Sequence, residues 1–177
     1  QNLGYDLGKQ FHIGAGKQKR APKATTQKTN IKEQVIHFIN RTLPRNVPLK
    51  TMRSQLGLED NKTIPIIRNP TLPEDAEAVF YFPGCGSEKL FSQVGLATQA
   101  MLYHAGVQTV LPPGYLCCSY PQNASGDKDK ANNMVTENRV LFHRMSNTLN
   151  YLDIKTVVVS CGTCYDALAE YHFEDIF

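Results

Sequence analysis

Residues 78–86 read Ala78-Val79-Phe80-Tyr81-Phe82-Pro83-Gly84-Cys85-Gly86, and this stretch decides the fold. Five apolar residues in a row, without polar alternation, fit a strand buried on both faces, and Pro83-Gly84 turns the chain at its end. The same unit then repeats. Phe91, Val94, Thr98, Met101 and Ala105 recur at helical spacing up to Gly106, predicting a helix with that face inward. Residues 107–111 read as the second strand, stopped by Pro112-Pro113. A polar loop through Gly126 leads into a long helix whose inward face includes Met134, Leu141, Met145, Leu149 and Leu152. Residues 156–159 are a third buried strand, and a third helix begins near Tyr165. Strands alternating with helices in this way predict a parallel sheet covered on both faces, with right-handed crossovers. The expected fold is therefore α/β: a Rossmann-like three-layer domain with a short parallel sheet, in the order second, first, third strand.

All five cysteines lie in this half of the chain, as Cys85, Cys117-Cys118 and Cys161-Gly162-Thr163-Cys164. The intervals of 31 and 42 residues are too long for a zinc-finger knuckle. Each cysteine group follows a predicted strand, however, and parallel strands bring their carboxyl ends to one edge. Convergence on one metal or iron–sulfur site follows from that placement. Cys85 and Cys164 each precede a predicted helix, whose N–H groups favour thiolate. Gly84, Gly86 and Gly162 permit close backbone approach to a bulky group. One buried cysteine is ordinarily a small hydrophobe, but three groups at one edge argue for a joint site. The odd count disfavours structural disulfides. Gly84-Cys85-Gly86 is not a dinucleotide fingerprint, because Lys89 stands where glycine is needed.

The front of the chain differs in kind. Residues 1–73 carry 13 Lys and Arg against 4 Asp and Glu, whereas residues 74–177 carry 6 against 12. This asymmetry separates a basic connector or extension with short helices, residues 1–75, from an acidic cysteine-bearing domain, residues 76–177. Ile31, Val35, Phe38 and Ile39 share a helical face behind Asn30, with a strand as competitor. A short helix after Pro48 would carry Met52 and Leu56, and residues 64–67 read as extended. Gly14-Ala15-Gly16-Lys17 lacks the spacing of a phosphate loop. The basic residues suit a solvated extension, an anionic membrane or an acidic redox partner. They are not interleaved with aromatic residues as nucleic-acid binding would require, so no nucleic acid is expected. No run approaches the roughly 20 apolar residues of a membrane span. Opening on Gln1 and stopping at Phe177, the chain reads as a piece of a longer polypeptide.

The Cys…Cys-Cys…Cys-x-x-Cys arrangement over residues 78–177 resembles the cysteine-rich, or CCG, domain. That domain occurs in the cysteine-rich subunit of heterodisulfide reductase and in the iron–sulfur subunits of glycolate oxidase, anaerobic glycerol-3-phosphate dehydrogenase and lactate-utilisation complexes. Residues 81–86 and 150–164 are most similar to large bacterial FAD-linked oxidase/iron–sulfur oxidoreductases. The resemblance implies that Cys85, Cys117, Cys118, Cys161 and Cys164 are the ligands of a [4Fe–4S]-type cluster, a noncubane one in the heterodisulfide reductase relatives. Five thiolates are one more than a cubane uses. It implies FAD and ferredoxin-type domains upstream in the same polypeptide, and a second cysteine-rich domain. The acceptor would be a quinone or a disulfide, and the location cytoplasmic or peripheral on the inner membrane face. Two departures stand out: Ser119 replaces the glycine that commonly follows the paired cysteines, and the gap to Cys161 is longer than usual.

The leading expectation is an iron–sulfur electron-transfer module of a flavin-linked 2-hydroxy-acid oxidoreductase, acting on glycolate or lactate and without turnover of its own. A structural zinc module using four of the thiolates is the alternative. A thiol–disulfide enzyme built on Cys161 and Cys164 would leave three cysteines unexplained. His104 and His143 are expected on helix surfaces, and His172 away from a ligand role. Tyr115, Tyr120 and Tyr165 neighbour the cysteines and are expected to shield them from water.

Overall fold

Strand β2 (Ala78–Phe82) runs through the sheet with every residue buried, as its unbroken apolar run demands. It pairs in parallel with β3 (Gln108–Val110) on one side and β4 (Thr156–Val159) on the other. This is the second, first, third order expected of the three parallel strands. A further strand, β1 (Ile66–Ile67), pairs antiparallel with β3 and completes the order β1-β3-β2-β4. The structure, a computed structural model, describes residues 48–176, all within a unit that begins at Pro48. The expectations for residues 14–17 and 31–39 lie outside the described residues.

Alternation along β2 divides the core. Ala78, Phe80 and Phe82 join Val110, Phe142, Met145 and Leu168 on one face. Phe142 stands edge-on to Phe80 and Phe82, with ring centroids 5.3 and 6.2 Å away. Tyr81 turns to the other face with Met52 and Leu111. The first face is covered by α4 (Lys128–Thr148) and α5 (Gly162–Ala169). The second meets α1 (Met52–Leu56) and α2 (Ser92–His104). A short helix, α3 (Tyr120–Ala124), interrupts the loop expected between β3 and α4.

Four expectations need correction. The α2 face of Phe91, Val94, Thr98, Met101 and Ala105 is not buried: Phe91 is 58% and Met101 72% exposed. Ser92, Gly95 and Gln99 are buried instead. Gly95 is the reason, since a Cβ there would lie 2.6 Å from the Ser87 carbonyl oxygen and 2.7 Å from Met52 Sδ. The helix lies close to its neighbours because of this small residue, while Leu96 and Leu102, not the expected face, pack against the Met52–Tyr81–Leu111 cluster. Strand β4 is half-buried rather than buried, because it pairs only with β2 and forms an edge. The inward face of α4 is built on Ala131, Asn138, Phe142 and Met145, with Leu149 as its C-cap, while Met134 and Leu141 are only partly buried. Helix α5 starts at Gly162, so Cys164 lies inside its first turn rather than before it, and Cys161 is the N-cap.

Among the described residues no helix is long and apolar enough to cross a membrane.

Candidate metal centre

Because β2, β3 and β4 are parallel, the segments leaving them emerge along one edge. Cys85 follows β2 after the Pro83-Gly84 turn and opens a π-helical turn, Gly86–Leu90. Cys117 and Cys118 lie in the irregular segment between β3 and α3. Cys161 and Cys164 cap and enter α5 just past β4. All five are free thiols; Cys117, Cys118 and Cys164 are buried, Cys85 and Cys161 partly so.

The thiols shift one another's proton affinity in pairs, Cys85 with Cys117, Cys117 with Cys118 and Cys118 with Cys164, and Cys161 acts on Cys164. Proton affinities alternate along this series. The Cys118 and Cys85 thiols donate to Cys117 and pull its pKa far down, helped by the Ser119 N–H and the Tyr115 hydroxyl. Cys85, donating to Cys117 and partly buried, is pushed far up. Cys118, held between Cys117 and Cys164, is likewise raised. Cys164 is lowered, chiefly by the hydrogen bond from Cys118. Among the described residues, no group of three or more His, Cys, Asp or Glu side chains is disposed to hold a metal ion.

Backbone makes room for these cysteines. Gly84 sits at φ +61°, and a Cβ there would come within 2.6 Å of Cys164 Sγ. The Cys164 sulfur thus packs directly against the Gly84 backbone, where no side chain fits. The donor set, being all soft sulfur, fits a thiolate-ligated inorganic group. Ser119, which departs from the usual glycine, adopts the left-handed region at φ 74°. The chain thus makes the turn a glycine would make, and does so with a Cβ.

A polar shell unseen in the sequence holds the site from behind. Asn138 of α4 donates to the Cys117 carbonyl at 2.8 Å and to the Tyr171 hydroxyl at 3.0 Å. Tyr171 in turn donates to the Cys118 carbonyl at 3.4 Å. On the other face, Ser160 Oγ meets Tyr81 Oη at 2.9 Å and Ser87 Oγ at 2.6 Å. Asn138 carried a signal, being polar at a core position of a helix; Ser160 carried only its place before Cys161. Tyr115 is 40% exposed and lies under the Lys89 ammonium, 3.7 Å from its ring centroid. Tyr120 and Tyr165, at 45% and 70% exposure, rim the cysteines rather than sealing them. His104, His143 and His172 are exposed.

Residues 79–169, just over half the chain, match the cysteine-rich domain family CCG. The chain is 28% identical over 102 residues to a protein of Bacillus subtilis (strain 168) named probable glycolate oxidase iron-sulfur subunit, covering 58% of this chain and 21% of that protein. It is 29% identical over 93 residues to lactate utilization protein A of an Exiguobacterium species, covering 52% of this chain and 35% of the other. A third relative, an uncharacterized iron-sulfur protein of Methanocaldococcus jannaschii, is 30% identical over 90 residues, or 51% of this chain and 17% of that protein. The chain therefore spans between about a sixth and a third of the length of these relatives. No solved structure matches it significantly.

Proposed function

Because this chain belongs to the cysteine-rich (CCG) domain family, we propose that it is the iron–sulfur module of a flavin-linked 2-hydroxy-acid oxidoreductase. Cys85, Cys117, Cys118, Cys161 and Cys164 would hold a [4Fe–4S]-type cluster, with one thiolate more than a cubane uses. The observation that carries this reading is that all five cysteines lie on the segments leaving one edge of the parallel sheet, with the proton affinities of Cys85, Cys117, Cys118 and Cys164 shifted by neighbouring thiols. When bound, such a cluster supplies reversible electron transfer at a potential set by its surroundings.

The chain's own residues prepare for it. Burial of Cys117, Cys118 and Cys164 keeps water from the thiolates. Backbone N–H groups of Ser119 and Tyr120 bond to the Cys117 and Cys118 sulfurs and stabilise their charged forms. The Asn138–Tyr171 pair fixes the carbonyls of the same two residues. The names of two relatives, a glycolate oxidase subunit and a lactate utilization protein, support a 2-hydroxy acid as the oxidised substrate. In this reading residues 76–177 are the cysteine-rich domain. The basic residues before it lead from flavin and ferredoxin-type parts of the same polypeptide, and a second cysteine-rich domain follows. The electrons leave to a quinone or a disulfide, and the protein works in the cytoplasm or against the inner membrane face.

Anaerobic reconstitution with iron and sulfide, followed by absorption and EPR spectra, tests the reading. Brown protein with a cluster signal is expected. Protein that binds zinc and no iron under those conditions would demote it to a structural zinc module.

A further inference from the structure

The Arg53–Glu88 pair lies buried against the second face of the sheet and belongs to no cysteine motif. Arg53 is 4% exposed and Glu88 2%, and Arg53 lies upstream of residues 79–169 that match the family. The Arg53 backbone N–H donates to Glu88 Oε1 at 3.2 Å. Its Nε is 3.2 Å from Glu88 Oε2. Its Nη2 donates to the Pro112 carbonyl at 2.6 Å. Glu88 belongs to the π turn that follows Cys85, and Pro112 opens the segment that leads from β3 to Cys117 and Cys118. One side chain thus fastens two of the three cysteine-bearing segments. The third is fastened to the same π turn, through the Ser87–Ser160 contact just before Cys161.

Stability does not account for this pair. Loss of hydration is the largest influence on both groups, lowering the pKa of Arg53 and raising that of Glu88 despite their attraction. Arg53 Nη1 also has no partner. Apolar residues of the same volume would fill the space at less cost. What they could not do is span two segments with one rigid, planar fork.

We infer that Arg53 is a positioning residue for the cysteine site, tying the Cys85 turn to the Cys117–Cys118 segment through Glu88 and the Pro112 carbonyl. The role assigned rests on the cluster reading above, whereas the mechanical tie does not.

The test follows alkylation of each cysteine by mass spectrometry in the reduced, metal-free 177-residue protein. Wild type is compared with Arg53→Lys, which can pair with Glu88 but cannot also span to Pro112, and with Arg53→Met, which keeps bulk alone. Both variants are expected to speed alkylation of Cys85, Cys117 and Cys118 relative to Cys161 and Cys164, on the order of tenfold. Glu88→Gln, which is isosteric and the mildest change, is expected to speed Cys85 selectively. Rates that are unchanged, or raised equally at all five cysteines, overturn the inference. Reconstitution of the same proteins with iron and sulfide should give Arg53→Lys a shifted potential and an altered EPR signal. If wild type takes up no iron, the cluster reading falls, while the alkylation pattern still judges Arg53.

Discussion

Two backbone positions carry the site at the scale of single residues. Gly84 combines positive φ with a Cβ vector that ends 2.6 Å from Cys164 Sγ. Gly84→Ala therefore pays twice, in backbone strain and in collision, for a loss of about 2–4 kcal/mol. Thermal unfolding should show that loss, and iron uptake should fall with it because Cys164 is displaced. Ser119 poses the reverse case. It holds φ 74° while buried. Ser119→Gly and Ser119→Ala both remove the hydroxyl, so their difference isolates the backbone term. The glycine variant should be the more stable by about 1 kcal/mol in denaturant titration. Equal stabilities would mean that the left-handed turn carries no strain. The glycine at 84 was legible in the sequence, but its partner was not. Nothing in the spacing of Gly84 and Cys164, 80 positions apart, says that one backbone leans on the other's sulfur.

Elements were legible where burial alone decides them and illegible where contact geometry does. The unbroken apolar run of β2 marked a strand buried on both faces and was matched by the structure. The helical face read into α2 was not, because apolar periodicity says which residues resemble a core, not which fit one. Gly95, a poor helix former, sits at the closest approach, with Leu96 and Leu102 packed beside it. This gives a competition with a definite sign. In Gly95→Ala, helix propensity favours alanine by about 1 kcal/mol. Against it stands a Cβ 2.6 Å from a backbone carbonyl in the π turn, where overpacking costs about 1–3 kcal/mol. A carbonyl held in a turn cannot swing aside as a flexible side-chain tip can, so collision wins. Gly95→Ala is expected to lower the melting temperature and to loosen the π turn. An unchanged or raised melting temperature would show that α2 can slide away from that turn freely. Strand β1 was read only as extended, since two residues beside a proline carry too little pattern to reveal a partner.

At the scale of the whole molecule, a charge division at residue 73 leaves the segment from residue 48 with the basic front. Yet residues 48–75 carry four Lys and Arg against four Asp and Glu, and packing groups them with the cysteines. Met52 is fully buried and shares a cluster with Tyr81 and Leu111. Strand β1 covers the outer edge of β3, and the Pro65 carbonyl accepts from the Leu111 N–H at 3.0 Å. Arg53 neutralises a carboxylate buried near Cys85. A charge count could not show this, because it says nothing of where the segment's apolar residues pack. A chain of residues 48–177 should consequently behave differently from one of residues 76–177. Loss of Met52 alone removes a contact of the size that costs about 2–5 kcal/mol when deleted from a core. The shorter chain also leaves Glu88 buried without its cation and β3 with an open edge, which invites association. Against a typical total stability of about 5–15 kcal/mol, these losses are decisive. The 48–177 chain is expected to unfold cooperatively and to take up iron, whereas the 76–177 chain should melt far lower or aggregate and fail to load. Equal melting temperatures and equal iron uptake would return residues 48–75 to the role of a passive connector, and would remove Arg53 from the cysteine site at the same stroke.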